Sequence, residues 1–130
     1  MHKLYDFIEA RERLTTVVVK TKLIHSPVFS EESGNEIYLK PENLQKTGSF
    51  KIRGAYNKIA KLTEEEKKKG VIASSAGNHA QGVAYAAKRL GIKAVIVMPK
   101  HTPLIKVEAT RKYGAEVVLH GEVYDDAYKK

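Results

Sequence analysis

From residue 47 onward the sequence alternates helical apolar stripes with short β-branched runs, and this alternation constrains the fold more than any other feature. Ile52, Ala55, Tyr56, Ile59 and Ala60 fall at i, i+3, i+4, i+7 and i+8, the spacing of one helix face, and Thr47 or Ser49 can cap that helix. Val71-Ile72-Ala73 reads as a short buried strand. A Ser/Gly loop then leads into a helix from about Asn78, with Ala80, Val83, Ala84 and Ala87 facing inward and Gly91 ending it. Lys93 to Met98 is a strand. Thr102-Pro103, an N-cap followed by an N1 proline, opens a helix that stops at Gly114. Glu116 to Leu119 is a further strand, and a last helix begins at about Val123. Parallel strands need crossovers and helices supply them, so three such alternations predict an α/β fold: a parallel sheet flanked by helices. The final helix has no returning strand after it, so the sheet reads as incomplete and the chain as a fragment.

The first 46 residues follow a different grammar. Leu4, Phe7, Ile8 and Arg11 predict a helix over 4–14, and the β-branched run Thr15 to Val19 predicts an extended segment or strand. Ser26-Pro27 marks an irregular stretch, Glu31 to Asn35 a turn, and Glu36 to Lys40 a short strand with Ile37 and Leu39 on one face.

Composition narrows the function classes. The 130 residues carry 23 Lys and Arg against 15 Asp and Glu, a net charge of +8. Nucleic-acid binding needs that charge clustered on one face. The densest basic run, Lys67-Lys68-Lys69, directly follows Glu64-Glu65-Glu66. With Thr63 as cap and Gly70 as stop, this is a solvated helix whose charges complement its own dipole, so no nucleic-acid partner is expected. There is no Cys, which excludes a disulfide framework, a Cys-based zinc site and a Cys nucleophile. His2, His25, His101 and His120 show no metal-ligand spacing. The longest apolar stretch, Ala94 to Met98, is far too short to span a bilayer, and the start of the chain lacks the apolar run of a secretory signal. A cytoplasmic protein with no membrane partner is expected.

Two loops carry chemistry. In Thr47-Gly48-Ser49-Phe50-Lys51-Ile52-Arg53-Gly54, Lys51 falls in the first turn of a helix, where the free N–H groups make the end partially positive. That disfavours an ammonium and favours the neutral amine, the species that attacks a carbonyl. Gly48 permits a tight approach and Phe50 offers a ring face. The other reading of Lys51 is an ordinary surface lysine at a helix start. The second loop, Ser74-Ser75-Ala76-Gly77-Asn78-His79-Ala80-Gln81-Gly82, follows a strand and opens a helix, the place where α/β sheets bind ligands. Its small residues leave backbone N–H groups open to a carboxylate or phosphate. It matches neither the dinucleotide fingerprint nor the P-loop, and it can also be a plain strand-to-helix turn. Glu42 is a carboxylate near the Lys51 loop that reads more simply as part of a surface turn.

Lys40-Pro41-Glu42-Asn43-Leu44-Gln45-Lys46-Thr47-Gly48-Ser49-Phe50-Lys51-Ile52-Arg53-Gly54-Ala55, followed by Ser75-Ala76-Gly77-Asn78-His79-Ala80-Gln81-Gly82, resembles the threonine dehydratases (threonine ammonia-lyases). These are pyridoxal-phosphate enzymes of the tryptophan-synthase-β-like fold. The resemblance extends through Val97-Met98-Pro99 and Ala115 to Gly121. Cysteine and threonine synthases of the same superfamily place an Asp-Arg pair after the lysine. Ile52-Arg53-Gly54-Ala55 departs from that and narrows the resemblance to threonine/serine dehydratases and serine racemases.

The resemblance implies pyridoxal 5'-phosphate as cofactor and a small amino acid as substrate. Lys51 would bond the cofactor and move the Cα proton, and Phe50 would pack against the pyridine ring. Asn78 would meet the cofactor's 3′ oxygen. The backbone of Ser75, Ala76, Gly77, Asn78 and His79 would hold the substrate carboxylate. Racemases tend to have serine directly before the Gly-Asn pair, and Ala76 there favours a dehydratase. The resemblance also implies that residues 1–48 belong to a large domain and 49–130 to a small α/β domain truncated at its C-terminal end, in an enzyme that is a homo-oligomer. The family's glycine-rich phosphate cup and its partner for the pyridine nitrogen are not found in this sequence. The isolated chain is therefore expected to fold, to be inactive, to bind cofactor weakly and to self-associate through exposed Leu4, Phe7, Ile8 and Val17-Val18-Val19. A non-catalytic, self-associating α/β module is the alternative of a different class.

Overall fold

The computed structural model describes residues 2–130. Helix α1 (Leu4–Leu14) is followed by β1 (Ile24–His25), α2 (Pro27–Ser33), β2 (Tyr38–Leu39) and a 3-10 turn at Glu42–Leu44. The α/β part then runs α3 (Lys51–Ala60), α4 (Glu64–Lys69), β3 (Val71–Ser74), α5 (Asn78–Leu90), β4 (Ala94–Met98), α6 (Leu104–Lys112), β5 (Glu116–Leu119) and α7 (Tyr124–Lys129). Strands β3, β4 and β5 form the expected parallel sheet in sequence order, with Val71 opposite Ala94 and Val95 opposite Glu116. Strands β1 and β2 make a separate antiparallel pair. No helix among the described residues is long and apolar enough to cross a membrane.

The core lies between the sheet and helices α3 and α5. Ala80, Val83, Ala84, Ala86 and Ala87 of α5 pack with Ala55 and Ile59 of α3 and with Ile96 and Met98 of the central strand. Alanine gives α5 a thin apolar face, so neighbouring backbones can come close. Gly82 takes this furthest. A Cβ there would lie 3.1 Å from the carbonyl carbon of Lys51 and 3.3 Å from the amide nitrogen of Ile52, so α5 rests directly on the first turn of α3. Helix α4 is held as its charges require. Thr63 Oγ1 accepts from the Glu66 amide, and Glu66 Oε2 accepts from the Thr63 amide.

Several local expectations are corrected. Thr15 to Val19 is not a strand. The amides of Val17 and Val18 both donate to the Leu14 carbonyl, closing a turn at the end of α1, and Val17 is fully buried rather than exposed. The main chain of Val19 does pair, but with a side chain. Its amide donates to Gln45 Oε1 at 2.9 Å, and its carbonyl accepts from Gln45 Nε2 at 2.8 Å. The stretch after Ser26-Pro27 is a helix, with Pro27 at its first position and Gly34 in the left-handed conformation at its end. Strand β3 was expected to be buried, yet Ile72 is 71% exposed. Among the described strands β3 pairs on one side only, and Ile72 opens onto an apolar groove of about 420 Å³ shared with Ala55, Ile59 and Leu62. Thr102 does not cap α6: the cap position falls on Pro103, and the buried Thr102 hydroxyl has no partner. Leu4, Phe7 and Ile8 are exposed as expected.

Candidate active site

The two chemistry-bearing loops lie together because α3 and α5 do. Loop 75–77 emerges from the carboxyl end of β3, where the Ser75 amide still donates to the Val97 carbonyl and extends the ladder. Ser75 Oγ then turns back. It accepts from the amides of Gly77 and Ala80 at 3.4 and 3.3 Å, organising the first turn of α5. The amides of Ala76, Asn78 and His79 are left without an acceptor among the described residues. Together with the helix end they form a partially positive seat for an anion. The Asn78 and His79 side chains are exposed beside it. His79 is pushed below its ordinary pKa, first by desolvation and then by the positive charge of Lys51.

Lys51 opens α3 across the Gly82 contact. Its side chain is exposed, with Nζ 5.1 Å from the centre of the Phe50 ring, which is itself 57% exposed. Of the two expected caps, Ser49 makes only a long contact, its Oγ accepting from the Lys51 amide at 3.4 Å. The Thr47 hydroxyl is buried without a partner. The residue at the cap position is Phe50, whose backbone is already helical, so no side chain neutralises the helix end on which Lys51 sits. The 45–49 loop is also tied to the far side of the α/β unit. Tyr113 Oη donates to the Lys46 carbonyl at 3.0 Å, and Tyr113 meets Tyr85 edge to face. Among the described residues no cluster of three His, Asp or Glu could hold a metal ion.

Glu42 is more than part of a surface turn. Its carboxylate accepts from Arg53 Nε and Nη2 at 2.7 and 2.8 Å, from Thr21 Oγ1 at 2.7 Å and from Gln45 Nε2 at 3.3 Å, and its side chain is only 16% exposed. The Arg53 guanidinium foremost, then Thr21 and Gln45, hold it down from 4.5 to about 2 against the opposing effect of desolvation. A group depressed on folding contributes stability in full above its unfolded pKa and loses it as pH falls through the folded one. The contribution of Glu42 is therefore present above about pH 4.5 and fades between there and about pH 2. Solvent screening reduces it to about 1–2 kcal/mol. Denaturant titration of the intact protein and its Glu42→Gln variant is expected to show a stability gap at pH 7 that narrows by roughly half of that amount at pH 3. An unchanged gap would show that the ion pair contributes nothing. Sequence reasoning missed Thr21 and Arg53, which lie 21 and 11 residues from Glu42, and Gln45, whose other partner Val19 lies 26 residues away. Gly82 did carry a signal, since glycine inside an alanine-rich helix costs about 1 kcal/mol unless a neighbour needs the space.

This arrangement has close counterparts. Over 129 residues, 99% of the chain, it is 61% identical to the L-threonine ammonia-lyase of Thermotoga maritima and spans 32% of that relative's length. Among solved structures, the serine racemase of Dictyostelium discoideum superposes with a TM-score of 0.90 at 41% identity, covering 98% of this chain and 41% of the racemase. A T.th. threonine deaminase superposes with a TM-score of 0.86 at 44% identity, covering 98% of this chain and 40% of the deaminase. The chain thus spans about a third of the curated relative and two fifths of each solved structure. The family model for pyridoxal-phosphate dependent enzymes matches residues 14–130, taking in both loops and the whole parallel sheet, and the chain belongs to that family.

Proposed function

We propose that the protein containing this chain is a pyridoxal-phosphate-dependent threonine ammonia-lyase. It would convert L-threonine to 2-oxobutanoate and ammonia, and L-serine to pyruvate and ammonia. The observation that carries this reading is the placing of an exposed lysine amine, on an uncapped helix start, beside three backbone amides that lack acceptors. Identity to an ammonia-lyase over nearly the whole chain supports it.

These residues fit the cofactor: a free amine, an exposed aromatic face next to it, and donors for an anion. Lys51 would hold the cofactor covalently, Phe50 would lie against its ring, and Asn78 would donate to its 3′ oxygen. When bound, the cofactor supplies the electron sink that makes loss of the Cα proton feasible. The protein's own residues do the rest. Of the turn Ser75, Ala76, Gly77, Asn78 and His79, the Ser75 and Gly77 amides are already engaged, so the free amides of Ala76, Asn78 and His79 would hold the substrate carboxylate and so fix which Cα bond is presented. Lys51 takes the Cα proton. The positive charge of Lys51 and partial burial both work against a proton on His79. Threonine then loses its β-hydroxyl as water, and hydrolysis of the released enamine takes one water back and frees ammonia.

The same reading makes residues 1–48 part of a large domain and 49–130 most of a small one. It also makes the working enzyme a cytoplasmic homo-oligomer. The exposed Leu4, Phe7 and Ile8 support association, and the absence of cysteine is consistent with a reducing compartment.

Incubating the intact protein with pyridoxal phosphate and L-threonine is expected to release 2-oxobutanoate and ammonia in equal amounts. Bound cofactor with no keto acid would overturn the proposal. The racemase superposition favours a second reading, racemisation of serine. Ala76 opposes it, having no hydroxyl to return a proton to the opposite face. Chiral analysis during serine turnover is expected to show pyruvate far outpacing D-serine. Comparable rates would make the protein a racemase instead.

A further inference from the structure

We propose that Glu42 is a positioning residue for Lys51: by gripping Arg53 it sets the rotation of the first turn of α3 and so aims the lysine. This rests on the role for Lys51 given above.

The first turn of α3 is held at Ile52 and Arg53, while Lys51 and Gly54 are exposed. Ile52 is fully buried in the core. Gly82 of α5 lies against the backbone of Lys51 and Ile52. Arg53, two positions beyond Lys51, projects about 200° away around the helix axis. Both of its bonding nitrogens end on Glu42, one on each carboxylate oxygen. A fork of this kind fixes orientation as well as distance. Glu42 is itself immobilised by Thr21 Oγ1 and by Gln45, whose amide is locked to both main-chain groups of Val19. The anchor therefore reaches back into the segment before β1 rather than ending at a free surface carboxylate. Two attachments, α5 against the backbone of Lys51 and Ile52 and the 19–45 segment through Arg53, oppose rolling of the helix. Only Lys51 is left unpaired. The bidentate fork and the second layer of hydrogen bonds behind it fix the direction of Arg53 as well as adding stability.

The test uses the intact protein stripped of cofactor. Pyridoxal phosphate is added, the covalent link is trapped with borohydride, and its rate of formation is measured well below the melting temperature. Glu42→Gln keeps the shape of the side chain but loses the charge and one acceptor. Arg53→Lys keeps the charge but cannot form the fork, and it gives the same reading should Glu42→Gln fail to fold. Each is expected to slow formation of the link by about ten- to a hundredfold, the penalty for a nucleophile displaced by up to about an ångström. If both variants form the link at the wild-type rate and only melt earlier, Glu42 is merely structural and the proposal is overturned while the role of Lys51 stands. If the wild-type protein itself forms no link, both fall.

Discussion

Replacing Lys51 with alanine in the intact protein is expected to abolish both the visible absorbance of bound pyridoxal phosphate and the release of ammonia from threonine. The side chain is exposed and its contact with the Phe50 ring is itself exposed, so the variant should melt close to the wild type. The losses would then report chemistry and not unfolding. The nearest lysines along the chain are placed elsewhere. Lys46 faces the Tyr85 ring on the other side of its loop, and Lys58 lies two helical turns further along α3. Activity should fall by many orders of magnitude, since nucleophile and proton carrier would be lost together. A Lys51→Ala protein that still yields a borohydride-reducible cofactor adduct would assign the role to a different residue.

Substitution of Gly82 is expected to produce the largest loss of stability from a single small change. The atoms that a Cβ would meet at 3.1 to 3.3 Å are all backbone of Lys51 and Ile52, and backbone cannot swing aside as the tip of a side chain can. The helices must separate instead, and the alanine-lined core between them has no slack to follow. Helix propensity works in the opposite direction, since alanine in a helix interior is favoured over glycine by about 1 kcal/mol. Gly82→Ala should nonetheless destabilise by about 1–2 kcal/mol, and Gly82→Val by about 3 kcal/mol or more. Because the displaced atoms belong to the turn that carries Lys51, formation of the cofactor link should slow even where Gly82→Ala remains folded. Denaturant titration measures the first effect and borohydride trapping the second. A Gly82→Ala protein more stable than the wild type would show that propensity wins and that the two helices are not in backbone contact.

Most of the α/β part was legible in the sequence. The stripe from Ile52 to Ala60, the alanine face of α5 and the strands Ala94–Met98 and Glu116–Leu119 all appear within a residue or two of their expected places. Their signals are local: periodicity, a glycine stop at Gly91, and a capping Thr63 before a run of acids. The misreadings cluster where a non-local partner decided the outcome. The valines after α1 have high β propensity, but Val19 pairs with the side-chain amide of Gln45 instead of a strand. Ile72 belongs to a run that reads as buried, yet β3 has a single neighbour strand.

The sequence by itself determined that a lysine opens one helix, that a small-residue turn opens another, and that both belong to a parallel α/β unit. Those properties depend on residues within a few positions of one another, where propensity and hydrogen-bonding pattern act directly. Only the tertiary structure decided that the two openings come close, because that depends on how nearly α3 and α5 approach, and the missing Cβ at Gly82 lets α5 lie against the backbone of Lys51 and Ile52. The tertiary structure alone also turned Glu42 from part of an apparent surface turn into the anchor of Arg53. A carboxylate's environment is made by whichever donors the fold brings to it, and besides the local Gln45, Thr21 and Arg53 come from segments 21 residues before and 11 residues after Glu42.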